Sequence, residues 1–368
     1  MRSSTAGVVH VTALFPPQVR DWALPGEANL SPRAAERVCR EGAKNAFEEA
    51  AKSLNIDWNT SLDGKQIQRW TEALGRGIVV DRDRQAQLFR EGRYPDGPPN
   101  SPQLLVIGMD GGRWQGCEKN PETDSRWHEE KVLTVTSYIP GNGLEKEDEQ
   151  YRKPEPLVRT HVATTRDAMA FGTMARVEAE RRGYRQAQTV IAMGDGGNWI
   201  DPLLEREFRV QARIIDWYHV VEHVWDCAKA VQGAGTPQAA QLAEKMEAWL
   251  WDGKVEKIIH EIKNHSEKAG PPKADDPPQH PRRILHQNVG YFSTHRDHMN
   301  YPQYRKNGWP IGSGETEAAV KQFNKRVKGT EQFWTEKGIE PILSLRATWI
   351  GQDDRWQKYW NNRPAYVK

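Results

Sequence analysis

The sequence predicts an α/β fold: a mixed sheet interrupted by an all-helical insertion and preceded by a small helical N-terminal domain. Three observations carry this expectation. Apolar, β-branched runs alternate with helical patterning between residues 101 and 216. Two of those runs close on an aspartate followed by Gly-Gly. Residues 217–300 then lose the strand pattern and read as helix, before "WPIGSGETEAAVKQFNKRVKG" opens one more helix at 309–329.

In chain order, residues 1–30 are irregular, with Pro16, Pro17 and Pro25. Ser31-Pro32 supplies an N-cap and a first-turn proline. The helix they start is expected to run on through "RAAERVCREGAKNAFEEAAKSLNI". A shorter helix is expected over 64–75, ending at Gly75. Helix, break and helix fit either a helix-turn-helix-like DNA-binding unit or an ordinary helical hairpin. The Pro/Gly-rich stretch 91–102 is a linker. Strands follow at 103–110, 131–139 and 157–165, a helix at 166–183, a strand at 189–195, a short helix at 199–208 and a strand ending at Asp216. The resulting boundaries are 1–100 for the helical N-terminal region, 101–220 for the first part of the core, 221–308 for the insertion and 309–368 for the last core helix with a basic, aromatic tail. A polar, proline-rich loop over 269–281 interrupts the insertion.

Composition excludes more than it selects. Charged residues make up 28%, and 52 basic against 50 acidic side chains leave a formal charge of +2, so global charge names no partner. Cys39, Cys117 and Cys227 stand far apart, which argues against a disulfide framework or a cysteine zinc site. Val8–Phe15 is too short to span a bilayer and lacks a small-residue cleavage site, so the expectation is a cytoplasmic protein with no membrane partner. The absence of a G-x-x-x-x-G-K-[ST] loop or a G-x-S-x-G elbow argues against an NTPase or a serine hydrolase.

The candidate chemistry lies in carboxylates. "VIGMDGGRWQG" and "VIAMGDGGNWI" each set an aspartate, Asp110 or Asp195, directly after a hydrophobic strand. Rigid carboxylates at strand ends suit a hard divalent cation such as Mg²⁺, although one Asp-Gly alone is an ordinary turn. In the stretch from 309, Glu317, Lys321, Asn324 and Lys328 fall on one helical stripe, with Lys325 adjacent. A carboxylate beside lysines that can meet phosphates is what nucleic-acid chemistry needs. Spacing alone favours a solvated Glu317–Lys321 pair. Glu315 lies round the helix from Glu317 and is assigned to the helix dipole. In "DWYHVVEHVWD", Asp216 and His219 form a local supporting pair, and His223 packs or faces solvent. "THRDH" (294–298) has no partner pattern and is expected at the surface, while Trp199 or Trp217 packs beside the site.

Taken in order, "MDGG", "GDGGNWI", "DWYHVVEHVWD" and "PIGSGETEAAVKQFNKRVKGTEQFWTEKGIEPILSLRA" resemble the DDE transposases of bacterial insertion sequences, of the Kra type, which are related to mutator-like transposases. The likeness spans roughly 103–360. It implies an RNase H-like core with a helical insertion before the final catalytic helix. It also implies that Asp110, Asp195 and Glu317 are the catalytic and metal-binding acids, and that Asp216 and His219 match the family's C/D-x-x-H element. The implied reaction is two-metal DNA strand cleavage and strand transfer with Mg²⁺, for which Mn²⁺ substitutes. The implied partners are double-stranded DNA at element ends and target, and further copies of the chain as a homo-oligomer on DNA. Lys321, Asn324, Lys325 and Lys328 would lie along the DNA backbone, and the implied location is bacterial and nucleoid-associated. The alternative is a domesticated, transposase-derived DNA-binding protein. One departure is the lack of a cysteine cluster for a zinc-binding end-recognition module. Arg113-Trp114 after Asp110 has no explanation from the sequence.

Overall fold

A computed structural model of the chain describes residues 30–95, 97, 98, 101–121, 123–197, 199–329 and 332–361. The irregular segment expected over 1–29, Asn198 of the second Asp-Gly-Gly stretch and the end of the tail, 362–368, lie outside the described residues.

Ser31 caps α1 (Pro32–Lys44) by accepting the Ala34 N–H at 3.2 Å. The helix then stops at Asn45, and α2 (Phe47–Trp58) begins anew, where the sequence predicts one continuous helix. The cause is tertiary. Arg326 Nε donates to Gly42 O at 2.8 Å and Arg346 Nη1 to Ala43 O at 2.6 Å, so distant arginines satisfy carbonyls that a continuing helix would otherwise take up. Asp63 and Gln66 form a capping box at the start of α3 (Gly64–Arg90). This helix runs straight through Gly75 instead of ending there. A Cβ at Gly75 would lie 2.8 Å from both Leu345 Cδ1 and Pro341 O, so the glycine serves a close helix crossing, not a stop.

The sheet comprises β1 (Leu104–Gln115), β2 (Trp127–Ile139), β3 (Glu155–Thr164), β4 (Thr189–Gly194) and β5 (Ala212–Ile215), in the order β3-β2-β1-β4-β5. β1–β2 and β2–β3 are antiparallel, whereas β1–β4 and β4–β5 are parallel. This five-stranded mixed sheet is compatible with an RNase H-like core. α4 (Ala168–Arg181) and α5 (Ile200–Glu207) cover one face through Phe171, Met174 and Leu203 on Leu105, Ile107 and Met109.

On the opposite face, α11 (Gly314–Val327) and α12 (Glu336–Ile350) pack over Trp114, Val132 and Ala163. Beside them the insertion helices α6 (Trp217–Gln232), α7 (Pro237–Trp251), α8 (Val255–Ala269), α9 (Pro281–His295) and α10 (Tyr301–Lys306) share a core with Leu104, Val106, Ile191 and Ile214. The N-terminal helices do not stand apart. Leu54, Ile67 and Leu74 bury against Leu345 of α12 and Trp360 of α13 (Arg355–Asn361), so α1–α3 and the C-terminal helices form one core. Among the described residues, no helix is long and apolar enough to cross a membrane.

Candidate active site

The parallel pairing of β1 with β4 sets Gly108 opposite Met193, and both Asp110 and Asp195 lie two residues further on. The two aspartates therefore sit side by side at the carboxyl end of β4, the side on which open α/β sheets build their sites. They differ in their backbone. Asp195 lies just past the end of β4, as the sequence predicts. Asp110 does not close its strand: β1 continues through Gly111 and Gly112 to Gln115, paired with β2 throughout. The expected Asp-Gly-Gly turn is thus a strand interior. Gly112 stays without a side chain because a Cβ there would fall 2.3 Å from Glu130 Oε1 across the pair. The continued strand also explains Trp114, which is buried and stacked on His128 with ring centroids 4.5 Å apart.

α11 delivers the third acid. Gly108 admits this helix to the sheet, since a Cβ at Gly108 would meet Thr316 Oγ1 at 2.0 Å. Glu315 and Glu317 both occupy the first turn of α11, where the helix dipole favours acids. Their side chains diverge. Glu315 is ion-paired with Arg159 of β3. Glu317 is engaged by Lys321 Nζ at 3.1 Å. Burial pushes the Asp110 carboxyl up to about 6, opposed by the Gly111 N–H that it accepts at 2.6 Å. The charges of Asp195 and Glu317 raise it further and His219 lowers it, so these three groups all act on Asp110.

The three acids thus share one neighbourhood, but their oxygens do not converge. Among the described residues, no three His, Cys, Asp or Glu side chains form a group that could hold a metal ion. Each carboxylate has another partner: Asp110 takes Gly111 N–H, Asp195 takes Gly197 N–H at 2.9 Å, and Glu317 is drawn along its own helix by Lys321. The donor chemistry fits a hard divalent cation, being all carboxylate oxygen beside mutually repelling charge.

Asp216 supports the site from below. It caps α6 by accepting the His219 N–H at 2.8 Å and also accepts the Ser313 N–H, one residue before α11. His219 faces His223, with Nε2–Nε2 at 3.3 Å. Of the two alternatives for His223, packing holds: it stacks on Tyr291, with centroids 3.9 Å apart. Tyr291 Oη in turn donates to Asp195 O at 3.4 Å. His295, expected at the surface with "THRDH", is buried because α9 folds back over the Asp195 loop. A Cβ on Gly196 would lie 3.0 Å from His295 Nε2. Trp199 packs on Phe171 and donates to Glu129 Oε1 at 3.2 Å, whereas Trp217 is buried with Trp251 and Tyr301.

The expected phosphate-facing stripe is mixed. Lys321, Lys325 and Lys328 are exposed, with Lys328 Nζ 5.4 Å above the Trp127 ring. Asn324 is half-buried and accepts the Arg113 N–H at 3.3 Å, which ties α11 to β1. Sequence reasoning missed Glu130, whose buried carboxyl finds no side-chain partner among the described residues and is pushed up to about 8 by burial. It also missed Asn288 and Tyr291, since nothing in the sequence marks a helix of the insertion as a wall of the site.

No family model matches the chain, and no curated protein matches it. Among solved structures it is similar to a Drosophila P element transposase strand transfer complex. The TM-score is 0.37 and the identity 9%, over 91% of this chain and 96% of that one. A likeness at that level fixes neither fold nor function.

Proposed function

We propose that the chain is a DDE-type transposase, with Asp110, Asp195 and Glu317 as its catalytic acids acting on DNA strands. The observation that carries this reading is the joining of two aspartates on adjacent parallel strands with the first turn of a helix seated on β1. Supporting it, Asp195 and Glu317 both raise the Asp110 carboxyl, a repulsion that a bound cation would relieve. Mg²⁺, or Mn²⁺ in its place, would supply Lewis-acid stabilisation of the attacking and leaving oxygens when bound. Asp110, Asp195 and Glu317 would hold it, with Glu317 released from Lys321.

The remaining roles belong to the chain itself. Asp216 fixes the turn that aims α11, and Lys321, Lys325 and Lys328 offer exposed cations to the phosphates of double-stranded DNA. Asn324 positions α11 by accepting from the Arg113 N–H with its Oδ1, and it stands with the three lysines as a proposed phosphate contact. Pairing two DNA ends would call for a homo-oligomer, and the nucleoid is the expected place of work. The second reading, a transposase-derived DNA-binding protein, uses the same lysine face without chemistry. The presence of all three acids favours the first, because a protein released from catalysis is free to lose them.

The test is nicking of plasmid DNA that carries the sequences flanking the gene, with and without Mg²⁺. The expected result is Mg²⁺-dependent nicking by the wild type and none by Asp195→Asn, which still binds DNA. Equal nicking by the variant would remove Asp195 from the site. Binding without nicking by the wild type would favour the second reading.

A further inference from the structure

The insertion contributes a hydrogen-bonded chain that ends at His219. Asn288, on α9, is buried, and its Nδ2 donates to Ile284 O at 2.8 Å, one turn back on its own helix. That bond fixes the amide orientation, so the atom facing His223 Nδ1 at 2.7 Å is the amide oxygen. An amide oxygen only accepts, and His223 Nδ1 must therefore carry the hydrogen. Burial lowers the pKa of His223, which favours the neutral ring. A neutral imidazole protonated at Nδ1 has a bare Nε2. That bare nitrogen lies 3.3 Å from His219 Nε2, which must then be the donor. Tyr291, parallel to His223 at an interplanar angle of 17°, holds the ring that transmits the constraint.

We propose that Asn288 and His223 are positioning residues that fix His219 as its Nε2–H tautomer, leaving Nδ1 as the nitrogen that accepts a hydrogen bond from an attacking hydroxyl. The geometry gives Nδ1 this freedom. Glu222 Oε2 lies 3.7 Å from it, beyond hydrogen-bond distance and on a largely exposed side chain, and the His219 side chain is 36% exposed. When charged, His219 lowers the Asp110 carboxyl, so the two lie in one neighbourhood. The insertion is thereby part of the site's wall, through Asn288 and Tyr291, and not a spacer. The tautomer assignment rests on these contacts and on the neutral state of the buried His223 ring. The hydroxyl as ligand rests on the transposase reading above.

The experiment is long-range ¹H–¹⁵N spectroscopy of the full chain labelled with ¹⁵N-histidine, with His219 and His223 assigned by their Gln variants. The expected wild-type pattern is Nδ1–H for His223 and Nε2–H for His219. In Asn288→Leu the pattern is lost, in Asn288→Asp it is retained, and exposed His260 is unchanged in both as a check on folding. His223 found as Nε2–H in the wild type, or an unaltered pattern in Asn288→Leu, would overturn the assignment. Mg²⁺-dependent nicking should fall about 10-fold in Asn288→Leu, as for other partners that orient a site histidine, and recover in Asn288→Asp. A nicking rate untouched by the loss of the tautomer pattern would overturn the role of Nδ1. Tautomers as assigned in a wild type that nicks no DNA would overturn the transposase reading alone.

Discussion

The Asp216 carboxylate accepts the backbone N–H of Ser313, so one buried side chain holds the start of α6 and the turn before α11. Trp217 N–H donates to Ile311 O at 2.9 Å beside it, making a two-point clasp between segments almost a hundred residues apart. Whatever chemistry Glu317 performs, its reach is set here. Asp216→Ala removes an N-cap acceptor and a charge-assisted bond to a half-buried N–H, together worth about 2–4 kcal/mol. Urea denaturation should show that loss. A variant as stable as wild type would mean that Ser313 finds another acceptor.

Gly108 and Thr316 provide a sharper test of how α11 is seated. Gly108→Ala forces a methyl group onto Thr316 Oγ1 in a packed interface, and strain of about 1–3 kcal/mol is expected. Thr316→Ala clears the space. The double variant should regain much of the stability and nicking lost by Gly108→Ala, giving a clear coupling energy in a double-mutant cycle. Additive losses would show that the helix does not rest on this contact.

Arg326 ties α11 to the N-terminal helices. It is buried, lies 4.6 Å from the Phe47 ring centroid and 4.9 Å from that of Trp334, and donates to Gly42 O. Burial, with Arg346 nearby, lowers its pKa to about 9, yet the guanidinium remains charged at neutral pH. Arg326→Ala should cost about 3–5 kcal/mol, the scale for breaking a buried charged contact. Arg326→Lys should fail to restore it, because an ammonium cannot stack flat between two rings while donating to the carbonyl. Full rescue by lysine would reduce the site to its charge alone.

These contacts mark where the sequence was legible. The order of strands and helices from 103 to 328 follows from periodicity, because apolar alternation and caps are local signals. That each aspartate is attached to a strand was legible for the same reason, but not that the two strands are neighbours, which is set by the parallel β1–β4 pairing. What was hidden is long-range. Gly75 looks like a helix stop until Pro341 and Leu345 are seen pressed against it. The break between α1 and α2 comes from Arg326 and Arg346, nearly three hundred residues away. Asp110-Gly-Gly looks like a turn because glycine favours turns, but here the glycines accommodate Glu129 and Glu130 from the neighbouring strand. His295 and Tyr291 carry no motif at all, and only the return of α9 over the Asp195 loop gives them a place.

The last prediction concerns Glu130, fully buried beside Gly112, with no side-chain partner for either carboxyl oxygen among the described residues. Burial pushes it from its ordinary 4.5 to about 8 and Glu129 raises it further, while a hydrogen bond to its own backbone and Lys328, just past the end of α11, lower it. The sign follows from linkage. Between those two values the folded chain keeps this proton and the unfolded chain has lost it, so stability falls as pH rises, by at most about 1.4 kcal/mol per pH unit. Above about 8 both states are ionised and the slope vanishes. Glu130→Gln has nearly the same shape and no proton to lose. Its denaturation midpoint should match wild type near pH 5 and exceed it increasingly towards pH 8, since the buried charge is never formed. Parallel curves for the two proteins across that range would show that Glu130 is ionised and compensated in the fold. In that event Lys328, not protonation, would be what neutralises it, and Lys328→Met should then steepen the pH dependence of the wild-type background.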